Sequence, residues 1–250
     1  MSNVRRADVC AAAIADYFKG DGEIFCSPMG TLPTLGARLA KATFEPELLL
    51  TDGMNKIVKD VLPLGQKPGA KNIEGYMPFE FVFDTLWWGK RHVMMGATQI
   101  DQFGNQNISC IGDWKKPTVQ LLGVRGAPGN TVNHTTSYWV PNHGPKVFVD
   151  KVDVVSGVGY DKVNRTLPKG FHEIRRVVSN LCVMDFDGPE HRMRLRSVHP
   201  GVNVGDVVSQ TGFELVIDGD VPTTRMPTGA ELEIIRTLDP NDYASKEVQS

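Results

Sequence analysis

Apolar residues near the N-terminus repeat at the spacing of an amphipathic helix. Cys10, Ile14 and Phe18 follow one another at intervals of four residues, and a second apolar row lies beside them. Such a wide stripe predicts a helix over residues 4–19 with one buried face. The glycines of residues 20–22 then end this helix.

Short apolar runs and a second helical pattern follow. Residues 23–26 predict a strand, residues 31–43 a helix, and the unbroken apolar run at residues 48–50 a buried parallel strand. A strand–helix–strand order predicts a right-handed parallel unit, in which ligands bind beyond the carboxyl ends of the strands. Two loops occupy that position, at residues 27–30 and 51–55.

The middle of the chain is less regular. Residues 62–80 predict a long loop, residues 81–88 a short buried helix, and residues 93–95 a strand that ends in Gly96-Ala97-Thr98-Gln99. Residues 104–144 are dense in Gly, Asn and Pro and predict a loop-rich region, which is more often functional than idle. Within the helix, the pair Trp87-Trp88 suits either a subunit interface or the core.

The last third predicts strands, helices and a polar tail that is frayed or bound to a partner. The strands are at 147–155, 177–185, 193–199 and 213–217, the helices at 203–211 and 229–237, and the tail at 240–250. The whole pattern predicts a single α/β domain over residues 1–250, with an open, largely parallel sheet and flanking helices.

Composition removes several function classes. The chain has 250 residues, 41% of them hydrophobic, and a net charge of −2, which predicts no nucleic-acid partner. We see neither a secretory signal nor an apolar run long enough to span a membrane, and therefore expect a cytoplasmic location and no membrane partner. The four cysteines form no CxxC pair and are expected to be reduced and buried.

Common catalytic and cofactor signatures are missing from the sequence. His134 and His143 are nine residues apart without a third ligand at a persuasive spacing, so structural histidines and no metal are expected. The chain has neither the Gly-x-Ser-x-Gly nucleophile motif nor a P-loop nor a dinucleotide fingerprint.

Two Gly-rich stretches are candidates for ligand contact. In residues 92–109 a Gly-Ala turn after a strand could direct backbone N–H groups at an oxyanion, or its Asn side chains could serve local turns. In residues 123–139, Gly129 and Asn130 could allow close approach to a ligand, or form an ordered turn before a strand. The residues alone leave both alternatives open.

Several segments together resemble the β subunit of class I CoA-transferases over residues 5–217. They are "PELLLTDG", "MGATQIDQFGNQNIS", "GAPGNTVN", "VVSNLCVMDFD" and "HPGVNVGDVVSQTGFEL". The resemblance implies a CoA-transferase-like α/β fold and a homologous α subunit. It also implies that CoA is part of the substrate and that no separate cofactor is needed.

One position departs from this family. Its members carry a nucleophilic Glu at the end of the "PELLLTDG" strand, and the matching residue here is Thr51. A Thr hydroxyl needs an adjacent base to act as a nucleophile, and Asp52, one residue later, should face the opposite side of the strand. CoA transfer by the family mechanism is therefore expected to be lost.

The segments "SPMGTLPTLGARLAKATFEPELLLTDG" and "GNTVNHTTSYWV" are similar to one branch of the family, the actinobacterial steroid ring-cleaving hydrolases. This similarity implies an α2β2 heterotetramer that hydrolyses a carbon–carbon bond in the last ring of a sterol-derived acyl-CoA, with the key Glu supplied by the α subunit. We then expect supporting catalytic roles for Asp52, Gln99 and Asn130. The expected substrate and CoA contacts are Met29, Gly30, Thr51, Gly53, Met54, Gly96, Ala97, Gly129 and Asn133.

Two alternatives remain at this stage. The chain could be a subunit of a true class I CoA-transferase that uses Asp52 or a carboxylate of its partner. It could also be a subunit without catalytic residues that only shapes the CoA pocket.

Overall fold

The computed structural model describes residues 4–52, 55–163 and 172–248. Two compact units divide the chain: one comprises Met1–Met95 with Arg225–Ser250, and the other comprises Gly96–Thr224. The single domain expected from the sequence stays a prediction.

Helices and runs of consecutive strands follow one another along the described chain. The helices are α1 (Arg6–Ala15), α2 (Thr31–Thr43), α3 (Phe79–Trp88), α4 (Ala127–Asn133), α5 (Val204–Ser209), α6 (Gly229–Leu238) and α7 (Tyr243–Glu247). The strands are β1 (Phe25–Pro28), β2 (Leu50–Thr51), β3 (Lys56–Val58), β4 (Ile73–Tyr76), β5 (Arg91–Gly96), β6 (Gln99–Ile100), β7 (Gln106–Asn107), β8 (Cys110–Asp113), β9 (Lys116–Gln120), β10 (Thr135–Val140), β11 (Glu173–Ser179), β12 (Cys182–Asp185) and β13 (Arg194–Val198).

The core of the first unit lies where α1 packs against α2. Ile14 is fully buried, and a Cβ at Gly36 would lie only 2.3 Å from its Cγ2 atom, so the helices approach this closely because position 36 has no side chain. The predicted α2 is confirmed at residues 31–43, and the predicted first helix is confirmed as α1 followed by a 3₁₀ turn at Asp16–Phe18.

The strands of the first unit direct two loops to the same side. β1 pairs in parallel with β5, and Phe25 also forms a parallel bridge with Leu49, so the predicted parallel strand–helix–strand unit is confirmed. β2 continues into an antiparallel meander with β3 and β4. The prediction that residues 62–80 are all loop is wrong, because residues 73–76 form β4 by pairing with β3.

The second unit is built on β10 to β13. β10 and β11 are parallel, whereas β11, β12 and β13 are antiparallel neighbours. Two small antiparallel hairpins, β6–β7 and β8–β9, precede them. Trp139 and Tyr138 on β10 and Phe148 are among the largest buried side chains.

Four predictions for the second unit are wrong. Residues 104–144 contain β7, the β8–β9 hairpin, α4 and β10. The side chain of Asn107 on β7 bonds across to Gln99 on β6 instead of marking a loop. Residues 177–185 form two strands, since the Ser179 Oγ accepts the N–H groups of the following turn. Residues 147–155 and 213–217 contribute isolated bridges at Phe148 and Val216, not strands of their own.

Three further predictions concern exposure and order. The helix expected at residues 81–88 exists as α3, but it is not a buried helix: Trp87 is 68% exposed and Trp88 89% exposed. The tail is not frayed over its described part, because it contains α7, whose Glu247 Oε2 accepts the Leu32 N–H at 2.8 Å. All four cysteines are unbonded to one another and buried, as predicted.

Candidate functional site

Thr51, the last residue of β2, lines two cavities of the first unit. One cavity has a volume of about 370 Å³ and mixed walls, whose charged members include Asp52 and the cations Arg38, Lys56 and Lys67. The other has a volume of about 170 Å³ and mostly apolar walls. The position at which the class I CoA-transferases that the sequence resembles carry a Glu therefore lies between a charged and an apolar space.

The carboxylate of Asp52 supports the turn between β2 and β3. Its Oδ1 accepts the backbone N–H groups of Asn55 at 3.1 Å and Lys56 at 3.0 Å. Asp52 and Thr51 both line the charged cavity, and Asp52 is not among the residues that line the apolar one. The expectation that the two side chains face opposite sides of the strand stays a prediction. The orienting role of Asp52 toward a partner base also stays a prediction.

Met29 and Gly30 follow β1 at the carboxyl end of the strand. Met29 is 48% exposed, and its N–H donates to the Met94 carbonyl at 2.7 Å. Gly30 has a φ of 116°, a conformation that favours glycine, and it precedes the first turn of α2. Both residues are accessible to a ligand; Gly53 and Met54 lie outside the described residues.

Arg91 and Ser27 are the polar partners inside the apolar cavity. The Arg91 side chain is buried, and its Nη1 lies 3.5 Å from the Ser27 Oγ. Burial lowers the pKa of Arg91 to about 10, so the guanidinium is still charged at neutral pH. Sequence reasoning missed this residue; the only signal was a cation at the start of the apolar run "RHVMM".

The turn after β5 lies in the second unit. Gly96 is exposed and Ala97 partly so. The Gln106 Nε2 donates to the Gly96 carbonyl, and the Thr98 N–H donates to the Asn107 carbonyl at 3.1 Å. These contacts fix the turn while leaving its surface open, as an oxyanion-binding turn requires.

Gln99 is buried and bonds inside the second unit. Its Oε1 accepts from the Asn107 Nδ2 at 2.7 Å and from the Asp153 N–H at 3.0 Å, and its Nε2 donates to the Asp153 Oδ2 at 3.1 Å. These bonds join the turn to a segment 54 residues away. A direct contact of Gln99 with substrate stays a prediction, and the observed geometry is that of a positioning residue.

An acidic cluster, with Asp101 buried and Asp161 exposed, supports the same segment. The Asn105 Nδ2 donates to both oxygens of Asp101, at 3.2 and 2.9 Å, and to Asp161 at 2.7 Å. Burial is the largest effect on Asp101 and raises its pKa, and the hydrogen bonds from Asn105 oppose that rise. These hydrogen bonds hold the loop that follows β6 in place.

Gly129, Asn130 and Asn133 belong to α4, a short helix that directly precedes β10. The Asn130 N–H donates to the Gly126 carbonyl at 3.0 Å, and its own carbonyl accepts from the Thr136 hydroxyl at 3.2 Å. Gly129 and Asn130 are buried and Asn133 is half-buried. Their contacts with substrate or CoA stay predictions, but the backbone N–H of Asn130 is already used by the helix.

His143 has the structural role expected for it. Its Nδ1 lies 2.9 Å from the Ser179 Oγ, its Nε2 lies 3.0 Å from the Thr211 Oγ1, and its ring stacks on Phe148. Burial lowers the pKa of His143 to about 3, so the ring is neutral.

Within the described ranges, no cluster of three or more His, Cys, Asp or Glu residues is placed to ligate a metal. The same residues include no helix with the length and hydropathy of a membrane span.

Comparison with known proteins gives strong similarities. The chain is 53% identical over 247 residues to the "Cholesterol ring-cleaving hydrolase IpdB subunit" of Mycobacterium tuberculosis H37Rv, covering 98% of this chain and 99% of the relative. It is 30% identical over 224 residues to one of the subunits of the 3-oxoadipate CoA-transferase of Pseudomonas knackmussii, covering 86% of each.

The structural comparison agrees. The crystal structure of Rhodococcus jostii RHA1 IpdAB contains a chain with a TM-score of 0.95 and 52% identity, with full coverage of both chains. No family model matches the chain. The predicted CoA-transferase-like α/β fold is confirmed. The chain belongs to the family of CoA-transferase-like subunits, in the branch of the cholesterol ring-cleaving hydrolase IpdB subunits.

Proposed function

We propose that this chain is the β-type subunit of a hydrolase that opens the last steroid ring of a cyclic β-keto acyl-CoA in sterol catabolism. The observation that carries this proposal is Thr51, which occupies the nucleophile position of the related transferases in a chain 53% identical to IpdB subunits. A hydrolysis in which water is the nucleophile needs no carboxylate there.

The chemistry is a retro-Claisen hydrolysis. Water adds to the ring ketone, and the bond between that carbon and the carbon next to the thioester breaks. The electron pair passes to the latter carbon as the thioester enolate, which then takes up a proton. The site must therefore supply a base for water and hydrogen-bond donors for two developing oxyanions.

The base comes from the α-type partner, as the resemblance implies. This chain contributes donors and positioning groups. Backbone N–H groups of the Gly96–Ala97 turn are the proposed donors to the thioester oxygen, since this turn is exposed and held by Gln106. Gln99 and Asn130 position their segments through internal hydrogen bonds. CoA is part of the substrate, and the proposed reaction requires no separate cofactor.

The α-type partner is proposed to cover α3. Phe79, Phe81, Trp87 and Trp88 expose between 49% and 89% of their surface on or beside this helix. Exposed aromatic clusters mark protein–protein contacts, and Trp is enriched among the residues that dominate binding energy. The assembly expected is an α2β2 heterotetramer in the cytoplasm.

A CoA-transferase remains the rival that the experiment must separate. The chain is co-purified with its α-type partner and incubated with the ring-bearing acyl-CoA, with and without an acceptor acid. Ring opening that does not depend on the acceptor, with CoA still on the product, supports hydrolysis. CoA on the acceptor, or a protein thioester trapped by borohydride, would instead establish a transferase.

The charge of Asp52 can be tested separately from the hydrogen bonds that its side chain accepts in the turn between β2 and β3. Asp52→Asn keeps an oxygen that accepts the Asn55 and Lys56 N–H groups but removes the charge. If the charge orients the partner base, this variant lowers kcat without changing thermal stability. An unchanged kcat would leave Asp52 with the turn alone.

A further inference from the structure

The apolar cavity of the first unit has one charged residue among its described lining residues. Its walls come from the end of β1, from Thr51, and from the segment that begins α3, and they include Phe25, Met77, Phe79 and Val82. Arg91, at the start of β5, is the charged group, and it is 3% exposed. A cation inside an apolar space points to an anionic or strongly polarised ligand oxygen.

The cavity has the size of one carbocycle. Its volume is about 170 Å³. A protein cavity of about 150 Å³ with apolar walls admits benzene, so a single six-membered ring fits this space. Met29 and Phe79 line the cavity and are 48% and 65% exposed in this chain, so the mouth of the cavity lies beside the surface that the α-type partner is proposed to cover.

The guanidinium has the geometry of a carboxylate receptor. Its planar N–H groups can form paired hydrogen bonds to two oxygens, and low surrounding polarity strengthens such bonds. The Ser27 Oγ lies 3.5 Å from the Arg91 Nη1 and is a second polar group at the same end of the cavity.

We propose that this cavity binds the ring of the acyl group and that Arg91 binds the ring-ketone oxygen and the carboxylate that this oxygen becomes. The inference rests on the proposed function, and it names the group that recognises the cleaved end of the substrate. The water oxygen bonds to the ketone carbon, the carbon–carbon bond breaks, and its electron pair goes to the carbon next to the thioester, which takes a proton. The acid that forms loses its proton, and the carboxylate pairs with Arg91.

The first test measures binding to the purified complex of both subunits. The probes are cyclohexanecarboxylate and its neutral isostere cyclohexanecarboxamide, titrated by calorimetry. The wild-type complex is expected to bind the carboxylate at least tenfold more tightly than the amide. Arg91→Met should abolish this preference, whereas Arg91→Lys should retain part of it because the cation remains.

Lys90→Met is the matched control. Lys90 is the neighbouring exposed cation, so this variant makes the same change in net charge away from the cavity. It should bind both probes like the wild type. Thermal midpoints and recovery of the partner subunit show whether each variant is folded. If Arg91→Met does not fold, the carboxylate preference of the wild-type complex and of Arg91→Lys tests the proposal instead.

Two results would overturn the inference: a wild-type complex that binds carboxylate and amide equally or binds neither, or an Arg91→Met complex that keeps the preference. The ring-opening assay on the same complexes separates this inference from the proposed function. Ring opening without an Arg91-dependent carboxylate preference refutes the cavity assignment alone. Arg91-dependent carboxylate binding without ring opening refutes the hydrolase and leaves an anion site.

Discussion

Thr51 and Arg91 line the same apolar cavity, Thr51 from the end of β2 and Arg91 from the start of β5. A carboxylate at position 51 would place an anion in the cavity that the Arg91 guanidinium lines. The Thr hydroxyl is small and neutral, so position 51 adds no anion that would compete with a substrate oxygen for Arg91. In the proposed mechanism, the Thr at position 51 accounts both for the absent transferase nucleophile and for the binding of a substrate oxygen at Arg91.

Thr51→Val should retain ring hydrolysis, with kcat within about threefold of wild type, because water and not the Thr hydroxyl attacks the ketone. Loss of a covalent nucleophile typically costs on the order of 10⁴-fold or more. Steady-state kinetics of the reconstituted complex provide the measurement. Thr51→Glu is the informative contrast: its carboxylate would compete for Arg91 and raise KM. A Thr51→Val complex without activity would show that the hydroxyl takes part in the chemistry.

Gly96→Ala should lower kcat by roughly 10²-fold, the scale of losing one oxyanion donor. The added methyl would have the Trp139 carbonyl, at 3.9 Å, as its nearest neighbour and no positive φ to oppose it, so the fold should accept it. The substrate oxygen, in contrast, would be held away from the turn. Gly205→Ala on α5 is the control, since its methyl meets open space. Equal activity of the two variants would remove the Gly96–Ala97 turn from the mechanism.

Trp88→Ser should weaken association with the α-type partner roughly tenfold or more in Kd, which corresponds to about 1.4 kcal/mol or above. Because the Trp88 side chain is 89% exposed, its loss should not reduce the thermal stability of the chain itself. Calorimetric titration of separately purified subunits measures the effect. Trp114→Ser, on the exposed β8–β9 hairpin, serves as the matched control. Unchanged affinity for Trp88→Ser would place the interface elsewhere.

Acid should destabilise the second unit through His143. Its folded pKa of about 3 lies below the ordinary value of 6.5, so the unfolded chain binds the proton first as pH falls. The stabilisation from neutral His143 is complete above pH 6.5 and is lost between pH 6.5 and 3. Between pH 6 and pH 4 the loss is about 2 kcal/mol.

Thermal midpoints of the complex between pH 4 and pH 7 test this dependence. His143→Gln should have a lower midpoint at pH 7 but a shallower decline toward pH 4. His191→Gln changes an exposed histidine and should keep the wild-type slope. Identical slopes for wild type and His143→Gln would assign the acid sensitivity to other groups.

The elements predicted well are those whose signal is local. α2 begins and ends at the predicted residues because its apolar positions repeat with helical spacing over three turns. β5 was found as a bounded apolar run, and β13 as an alternation of charged and apolar residues.

Composition could not distinguish a core from an interface. α3 has the apolar content of a buried helix, yet among its described residues Leu86 alone is buried. A surface that binds another chain and a surface packed in a core contain the same residue types. Only the tertiary structure therefore shows which of the two a given helix has.

The candidate site was predicted only in part for a related reason. Thr51, Met29 and Gly96 follow apolar strands, and that position marked them as candidates. The contacts of Gln99 with Asp153 join residues 54 apart, and the placement of Arg91 beside Ser27 joins residues 64 apart. Such pairings depend on strand order and produce no periodic pattern in the sequence.

The central claim is that water, not a residue of this chain, attacks the ring ketone. The most direct measurement incubates the reconstituted complex with the ring-bearing acyl-CoA in ¹⁸O-labelled water and analyses the product by mass spectrometry. We predict one labelled oxygen in a new carboxylate, with the CoA thioester intact and unlabelled. A product without label in the new carboxylate, or a thioester bond formed between CoA and the protein, would contradict the account.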